Sequence, residues 1–373
     1  MSSTPILDLE VESPRPHSRM WIRVLVGVAL GLLIGLASDM NLPHLPHING
    51  LLFFPAMYVA IAVHEAGHLI AGMIVDMPPG AVVIGGIVIF KSGRNWRVRF
   101  NFRCLLGGMA KVLPPKTGAS LSEFVWMVAG GPIASIILTG ACACLFALYG
   151  TEGSGWIGSL FWAALLTAIV SLVPISAGLN KSDGARIWTI LRSPEQFRSW
   201  SALLALQTEE TQGVTPREWD AELVTEMLTA SRSANEYPYV QMLAFYRSLH
   251  EKQDQEALQH LENALATSDR CGKVFRQCIF LEAGGASAYI RRSVPQARTW
   301  LERTGKVRKP LSTDGVEAGI AICEGRYDEA RRHLNAIRIR AERKKLDSGL
   351  ARFAKEKLEE HEQLCGNHTA IGT

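Results

Sequence analysis

The sequence predicts an α-helical membrane protein of four spans with a small β-hairpin, joined to a soluble α-helical repeat domain. Three observations carry that prediction. Charge is split along the chain: residues 1–200 hold 14 Lys or Arg and 10 Asp or Glu, whereas residues 201–373 hold 25 of each. The formal +4 therefore lies in the first part, in a chain that is 48% hydrophobic and 20% charged overall. The first part also contains apolar runs of membrane length. After about Pro194 the pattern changes to charged segments with helical apolar stripes. The chain reads as a disordered lead-in over 1–19, a membrane domain over 20–192 and a helical domain over 200–373.

Residues 1–18, MSSTPILDLEVESPRPHS, are polar and Pro-rich. The apolar run Met20–Ala37 gives the first span, at about 20–38, with Gly27, Gly31 and Gly35 spaced for close helix packing. A cleaved signal peptide is the competing reading, but no clear cleavage site follows Ala37. The second span, about 51–75, includes VAIAVHEAGHLIAGMIV. The third, about 124–149, contains GGPIAS at 130–135, and the fourth covers about 156–176. Between spans two and three, AVVIGGIVIF (81–90) and WRVRFNF (96–102) read as two strands of a hairpin joined by KSGRN. Such a hairpin offers an edge for an extended substrate segment, or is a structural flap. Residues 105–113, LLGGMAKVL, read as a segment that dips into or lies on the membrane.

Basic residues set the orientation. The loops 38–50 and 150–155 contain no Lys or Arg. The loop after span two carries Lys91, Arg94, Arg97, Arg99, Arg103, Lys111 and Lys116. Arg15 and Arg19 precede span one, and Lys181, Arg186, Arg192 and Arg198 follow span four. Both termini are therefore expected in the cytosol. The compact four-span plan, with no eukaryotic sorting signal, points to a bacterial inner membrane. The seven cysteines are scattered and odd in number, so no disulfide framework is expected. Nothing resembles a nucleic-acid module, and the lipid bilayer accounts for the basic excess.

The chemistry concentrates in span two. On a helix His64 and His68 lie one turn apart, with roughly 5–6 Å between their Cβ atoms. Two imidazoles so placed can share one zinc ion, with Glu65 beside it to activate bound water. The flanks MYVAIAV and LIAGMIV offer no polar face that would explain the histidines as solvated residues. Ionisable groups in such a run need a functional or pairing reason, since burying a polar cluster alone costs several kcal/mol. Asp183 is the expected third ligand. It is the only acid near the end of span four, lies in the turn-rich AGLNKSDGARI (177–187), and precedes Gly184, which permits close backbone approach. Spans two and four both run toward the cytosol, which brings Asp183 to the side where His64 and His68 lie. The competing reading makes Asp183 the cap of a helix starting near Ala185.

HEAGH at 64–68, GGPIAS at 130–135 and LVPISAGLNKSDGARI at 172–187 together resemble the site-2 protease family of intramembrane zinc metalloproteases, peptidase family M50. The likeness covers about residues 20–190. It implies one Zn2+ per chain on His64, His68 and Asp183, Glu65 as the catalytic residue, and Gly131-Pro132 as the Gly-Pro element. It also implies a transmembrane protein or peptide as substrate, cut within or near its membrane segment. Two positions depart from the family pattern, where Asn is frequent: Ser135 and Ser171. A shorter hydrogen-bonding side chain there leaves metal binding untouched and puts substrate handling in question. The alternative is a weak or inactive relative acting as a membrane scaffold; a transporter is disfavoured by the lack of further intramembrane charges.

In the second half, Pro216–Thr229 reads as a helix with Pro at its start. Three two-helix units follow: 239–249 with 255–266, 274–288 with 294–303, and 315–324 with 327–339. Ala257 to Ala297 is 40 residues and Ala297 to Ala330 is 33, close to the period of tetratricopeptide repeats. Such stacks make curved peptide-binding surfaces, so a regulatory or adaptor protein is the expected partner of this domain. Residues 341–364 read as a capping helix. His361 and Cys365 make half a metal site with no second pair nearby.

Overall fold

The protein is described from a computed structural model that covers residues 48–92, 95–101, 107–115, 118–149, 155–177, 180–230, 232–307, 312–344 and 348–370. The lead-in, the first expected span and its glycines at 27, 31 and 35 lie outside the described residues. The structure is mostly helical with a small antiparallel sheet. It forms two compact units, with the main boundary between Phe197 and Arg198.

Among the described residues, three helices of the first unit are long and apolar enough to cross a membrane: α1 (Gly50–Ile74), α2 (Leu121–Tyr149) and α3 (Gly155–Leu172). Asn49 starts α1: its side chain accepts from Leu51 N and Leu52 N, while its own N–H donates to Ser159 Oγ at 3.1 Å. The N-terminal ends of α1 and α3 are thereby tied together at one end of the bundle. Small residues close the packing. Ala56, Ala60, Ala163 and Ala164 are fully buried between α1 and α3, and a Cβ on Gly67 would stand 2.3 Å from Gly130 O. Only glycine at both positions lets the α1 and α2 backbones touch, the usual device where lipid leaves no hydrophobic drive for helix association.

The connection between α1 and α2 is a four-stranded antiparallel sheet, not a two-stranded hairpin. Its strands are β1 (Pro79–Ile84), β2 (Ile87–Ser92), β3 (Asn95–Phe100) and β4 (Gly108–Val112), in the order β3-β2-β1-β4. The expected single strand 81–90 breaks at Gly85-Gly86. Both have positive φ, +54° and +88°, and Ile84 pairs with Ile87 across them. That is the two-residue turn whose twist suits a tight hairpin. The expected membrane-dipping segment 105–113 contains β4, which pairs with β1 from Pro79–Val112 to Ile84–Gly108. The sheet runs back along α1. A Cβ on Gly72 would meet Val112, one on Gly108 would meet Ile61 and Glu65, and one on Gly85 would meet Tyr58.

After α3 the chain turns through Pro174, and a short bridge pairs Ser176–Ala177 with Asn180–Lys181. Helix α4 (Asp183–Arg192) then packs on α2 and α3. Its cap is Ser182, whose Oγ accepts from Ala185 N at 3.2 Å and donates to Val173 O at 2.6 Å. The competing reading of Asp183 as helix cap is overturned, and its carboxylate is left for other work. Gly184 is required here because a Cβ would stand 1.8 Å from Leu172 O.

Helix α5 (Pro194–Thr211) leads into the second unit. The single helix expected over 216–229 is instead a 3-10 turn, Pro216–Glu218, followed by α6 (Ala221–Leu228). The Asp220 side chain caps Glu222 N and Leu223 N and restarts the helix there. Three helical hairpins follow: α7 (Tyr237–His250) with α8 (Asp254–Ala266), α9 (Lys273–Tyr289) with α10 (Val294–Thr304), and α11 (Asp314–Cys323) with α12 (Tyr327–Lys344). Helix α13 (Gly349–Ala370) packs on α12. Lys252, Arg292 and Gly325, at φ +61°, +52° and +74°, occupy matching places in the three tight turns. In the core, Phe353 is 1% exposed against the rings of Tyr246 and His250. Phe353→Ala is expected to destabilise this unit by about 3–5 kcal/mol, read as a lowered midpoint in chemical unfolding.

Candidate metal centre

Helix α1 is apolar along its length except where His64, Glu65 and His68 interrupt it, and all three are buried. The histidines project toward the glycine-lined crossing with α2. There Gly131 has no side chain to fill the space: a Cβ would stand 2.3 Å from His68 Nε2 and 2.7 Å from His64 Nε2. From the other side α4 presents Asp183. Its Oδ2 lies 3.1 Å from His64 Nε2 and 3.4 Å from His68 Nε2, and the two Nε2 atoms are 3.2 Å apart.

Those three distances test the site for a metal. Bonds of about 2.0–2.1 Å in a tetrahedron put neighbouring ligand atoms roughly 3.3 Å apart. The observed donor triangle has that size. The outer nitrogens explain its chemistry. His68 Nδ1 lies 3.0 Å from Met127 O, which holds the ring with Nε2 facing inward; the tautomer that donates to Met127 O leaves Nε2 free to act as a ligand. His64 Nδ1 lies 2.9 Å from Ser135 Oγ, which is fully buried and holds the second ring in the same sense. Burial pushes the Asp183 carboxyl up, but its contacts with the two imidazoles pull it further the other way, well below the usual carboxylate range. A bound cation would be met by both inward Nε2 atoms and the carboxylate at once. The residues fit a divalent metal with nitrogen and oxygen preference, and zinc suits the set.

Glu65 lies beside this triangle, 6% exposed, with the β4 backbone at Gly108 against it; a Cβ on Gly108 would come within 2.3 Å of Glu65 Oε1. The structure thus gathers His64, His68 and Asp183 and places Glu65 next to the pair. Sequence reasoning missed the role of Ser135, which was expected to affect substrate handling and to leave the metal untouched. The chain carried one signal: Ser135 is one turn from Gly131, so both share a face of α2. Ser171 bonds its own helix, at 3.0 Å from Ala168 O, and contributes no contact to the donor set. Outer partners of ligating histidines hold them in orientation. Ser135→Ala is therefore expected to weaken zinc affinity about 10–100-fold, measured by competition with a fluorescent chelator.

His361 and Cys365 form no site: the His361 ring stacks on Tyr289, centroids 3.9 Å apart, and Cys365 is buried. A second donor group among the described residues, Asp314, Glu317 and His333, is partly exposed. Arg340 pairs with Asp314, and His333 lies 2.8 Å from Asp314 and 3.3 Å from Glu317, so these carboxylates already have protein partners. No disulfide joins the described cysteines.

Three apolar helices of membrane length, as in an integral membrane protein, thus surround a buried His-His-Asp group that could hold a metal ion, with Glu65 adjacent. The model of one family, peptidase family M50, matches residues 52–322, and the chain belongs to that family. Its members are zinc metalloproteases. The match begins inside α1 and ends inside α11, well past the motifs read in the sequence. Among curated proteins and among solved structures, none matches this chain.

Proposed function

We propose that this protein is an intramembrane zinc metalloendopeptidase that hydrolyses peptide bonds within or near transmembrane segments of other membrane proteins. One zinc ion per chain would be held by His64, His68 and Asp183, with Glu65 as the general base. The donor triangle carries this reading: three ligand atoms 3.1, 3.2 and 3.4 Å apart inside a membrane-length helix bundle. When bound, zinc supplies Lewis-acid activation of water and of the scissile carbonyl.

The residues of the chain do the rest. Glu65 takes the proton of the attacking water and returns it to the leaving amine, work that a buried carboxylate beside the donor set is placed to do. Met127 O and Ser135 keep both imidazoles oriented while charge develops. The substrate helix must unwind, since a helical amide keeps its carbonyl in an intrachain hydrogen bond. The sequence pointed to the 81–102 hairpin as the edge that would capture the unwound stretch. The strand order favours β4 instead, because β4 ends the sheet and runs past Glu65. Strand addition there would satisfy the exposed backbone of an extended segment inside the membrane.

The remaining proposals follow from sequence pattern. The basic loops place both termini in the cytosol, with residues 20–38 as a fourth span and a bacterial inner membrane as the setting. The spacing of the three hairpins of the second unit, near the period of tetratricopeptide repeats, supports a role as a surface for a regulatory or adaptor protein. The activity test is direct. Protein reconstituted in lipid should cleave a labelled transmembrane peptide, stop when a zinc chelator is added and recover on zinc addition. Cleavage that persists in chelator would refute the metal-dependent mechanism.

A further inference from the structure

The ends of the apolar bundle are marked by exposed aromatic residues. On α2, Trp126 is 61% exposed and Tyr149 is 73% exposed. The helix rises about 34 Å from one to the other, a little more than the roughly 30 Å hydrocarbon core of a bilayer. Trp156, at the start of α3, joins Tyr149 at one end. Toward the other end, Trp96 stands near the start of β3, at the end of the sheet opposite its Tyr58 tip, since Asn101 at the far end of β3 bonds Gly86 there. Tryptophan and tyrosine rings at two such levels form the belts that sit in membrane interfaces.

Helix α4 lies at the level of Trp126. It follows directly from the end of α3, with Gly184 pressed on Leu172, and the chain just beyond it stacks Phe197 on Phe124, two residues from Trp126. Its inner face carries Asp183, Ala185 and Ile190, all buried. Its outer face carries Trp188, 54% exposed, and Leu191, 58% exposed. The Arg192 guanidinium stacks over the Trp188 ring, 3.8 Å from its centroid. The only acid on the helix, Asp183, is turned inward, so its outward charge is positive.

We propose that α4 is an interfacial helix, seated with Trp188 and Leu191 in the upper acyl region and Arg192 among acidic phospholipid headgroups. The occupant of this face is the bilayer that surrounds α1 to α3. Its amphipathic form, its level at the belt and its positive outer face are what such a surface binds. The seat fixes the depth of the helix that begins with Asp183. This inference concerns the lipid surface and stands whether or not the protein cleaves peptides.

The test uses the full chain in nanodiscs of phosphatidylcholine with phosphatidylglycerol, comparing the unaltered protein with Trp188→Phe. The fluorescence difference between them reports Trp188 alone. That component should lose most of its intensity when the lipids are brominated high on the acyl chain, and should resist aqueous iodide. Replacing phosphatidylglycerol by phosphatidylcholine, or Arg192→Gln, should reduce the bromine quenching. Quenching by iodide with none by bromolipid would place Trp188 on an aqueous face, open to a protein partner, and overturn the proposal. Quenching indifferent to both lipid charge and Arg192 would overturn its acidic-lipid part. Trp126→Phe, read the same way, shows that the disc and label report depth.

Discussion

Glu65→Gln is expected to keep its zinc and to lose peptide hydrolysis by about 10²–10⁴-fold, the usual worth of a positioned general base. The amide matches the carboxylate in size and can occupy the same space against β4, where Gly108 leaves it room. It cannot take a proton. None of the atoms of the donor triangle belongs to Glu65, so metal content should stay near one per chain. Two measurements separate the outcomes: metal analysis of the purified variant, and the rate at which it cuts a labelled transmembrane peptide. An undiminished rate would remove Glu65 from the mechanism. Zinc lost together with activity would instead mean that the carboxylate helps hold the ion, and the ligand set would need revision.

The cluster of His64, His68 and Asp183 was readable largely because of where its residues stand. Two histidines and a glutamate inside an apolar run need a reason to be there, and one turn of helix is enough to set the histidine spacing. Asp183 was harder, because a short acid after a Ser in a turn-rich stretch reads equally well as a cap. What settles the local question is Ser182, which takes the capping bond itself. Ser135 could not be assigned from the chain: its face of α2 is known from spacing, but which neighbour that face meets depends on the Gly67–Gly130 crossing.

The sheet shows the opposite limit. Residues 81–90 form a continuous apolar run, and alternation alone does not reveal that Gly85-Gly86 folds it in half. β4 was hidden for a similar reason, since GMAKV is short and its signal comes from pairing with β1, not from its own pattern. In the second unit the 3.6-residue period located the helices of all three hairpins, while the restart at Asp220 turned on one side-chain cap.

Gly131→Ala is expected to abolish zinc binding while leaving the bundle folded. The added methyl carbon would stand 2.3 Å from His68 Nε2 and 2.7 Å from His64 Nε2, inside van der Waals contact with two proposed ligand atoms at once. Neither ring can retreat freely, because Met127 O and Ser135 hold their far nitrogens. The rings must rotate and break the donor triangle, or the helices must part. Gly130 distinguishes these outcomes. A Cβ there would strike the backbone of α1, 2.4 Å from Gly67 O, so Gly130→Ala should lower the stability of the bundle itself. Gly140→Ala, on the same helix with nothing within 4 Å, should bind zinc normally and be as stable as the unaltered protein or slightly more so. Zinc content, helicity and thermal unfolding of the three variants form one experiment. Full zinc occupancy in Gly131→Ala at unaltered affinity would show that the ion sits elsewhere, and His64, His68 and Asp183 would then be a polar cluster and not a metal centre.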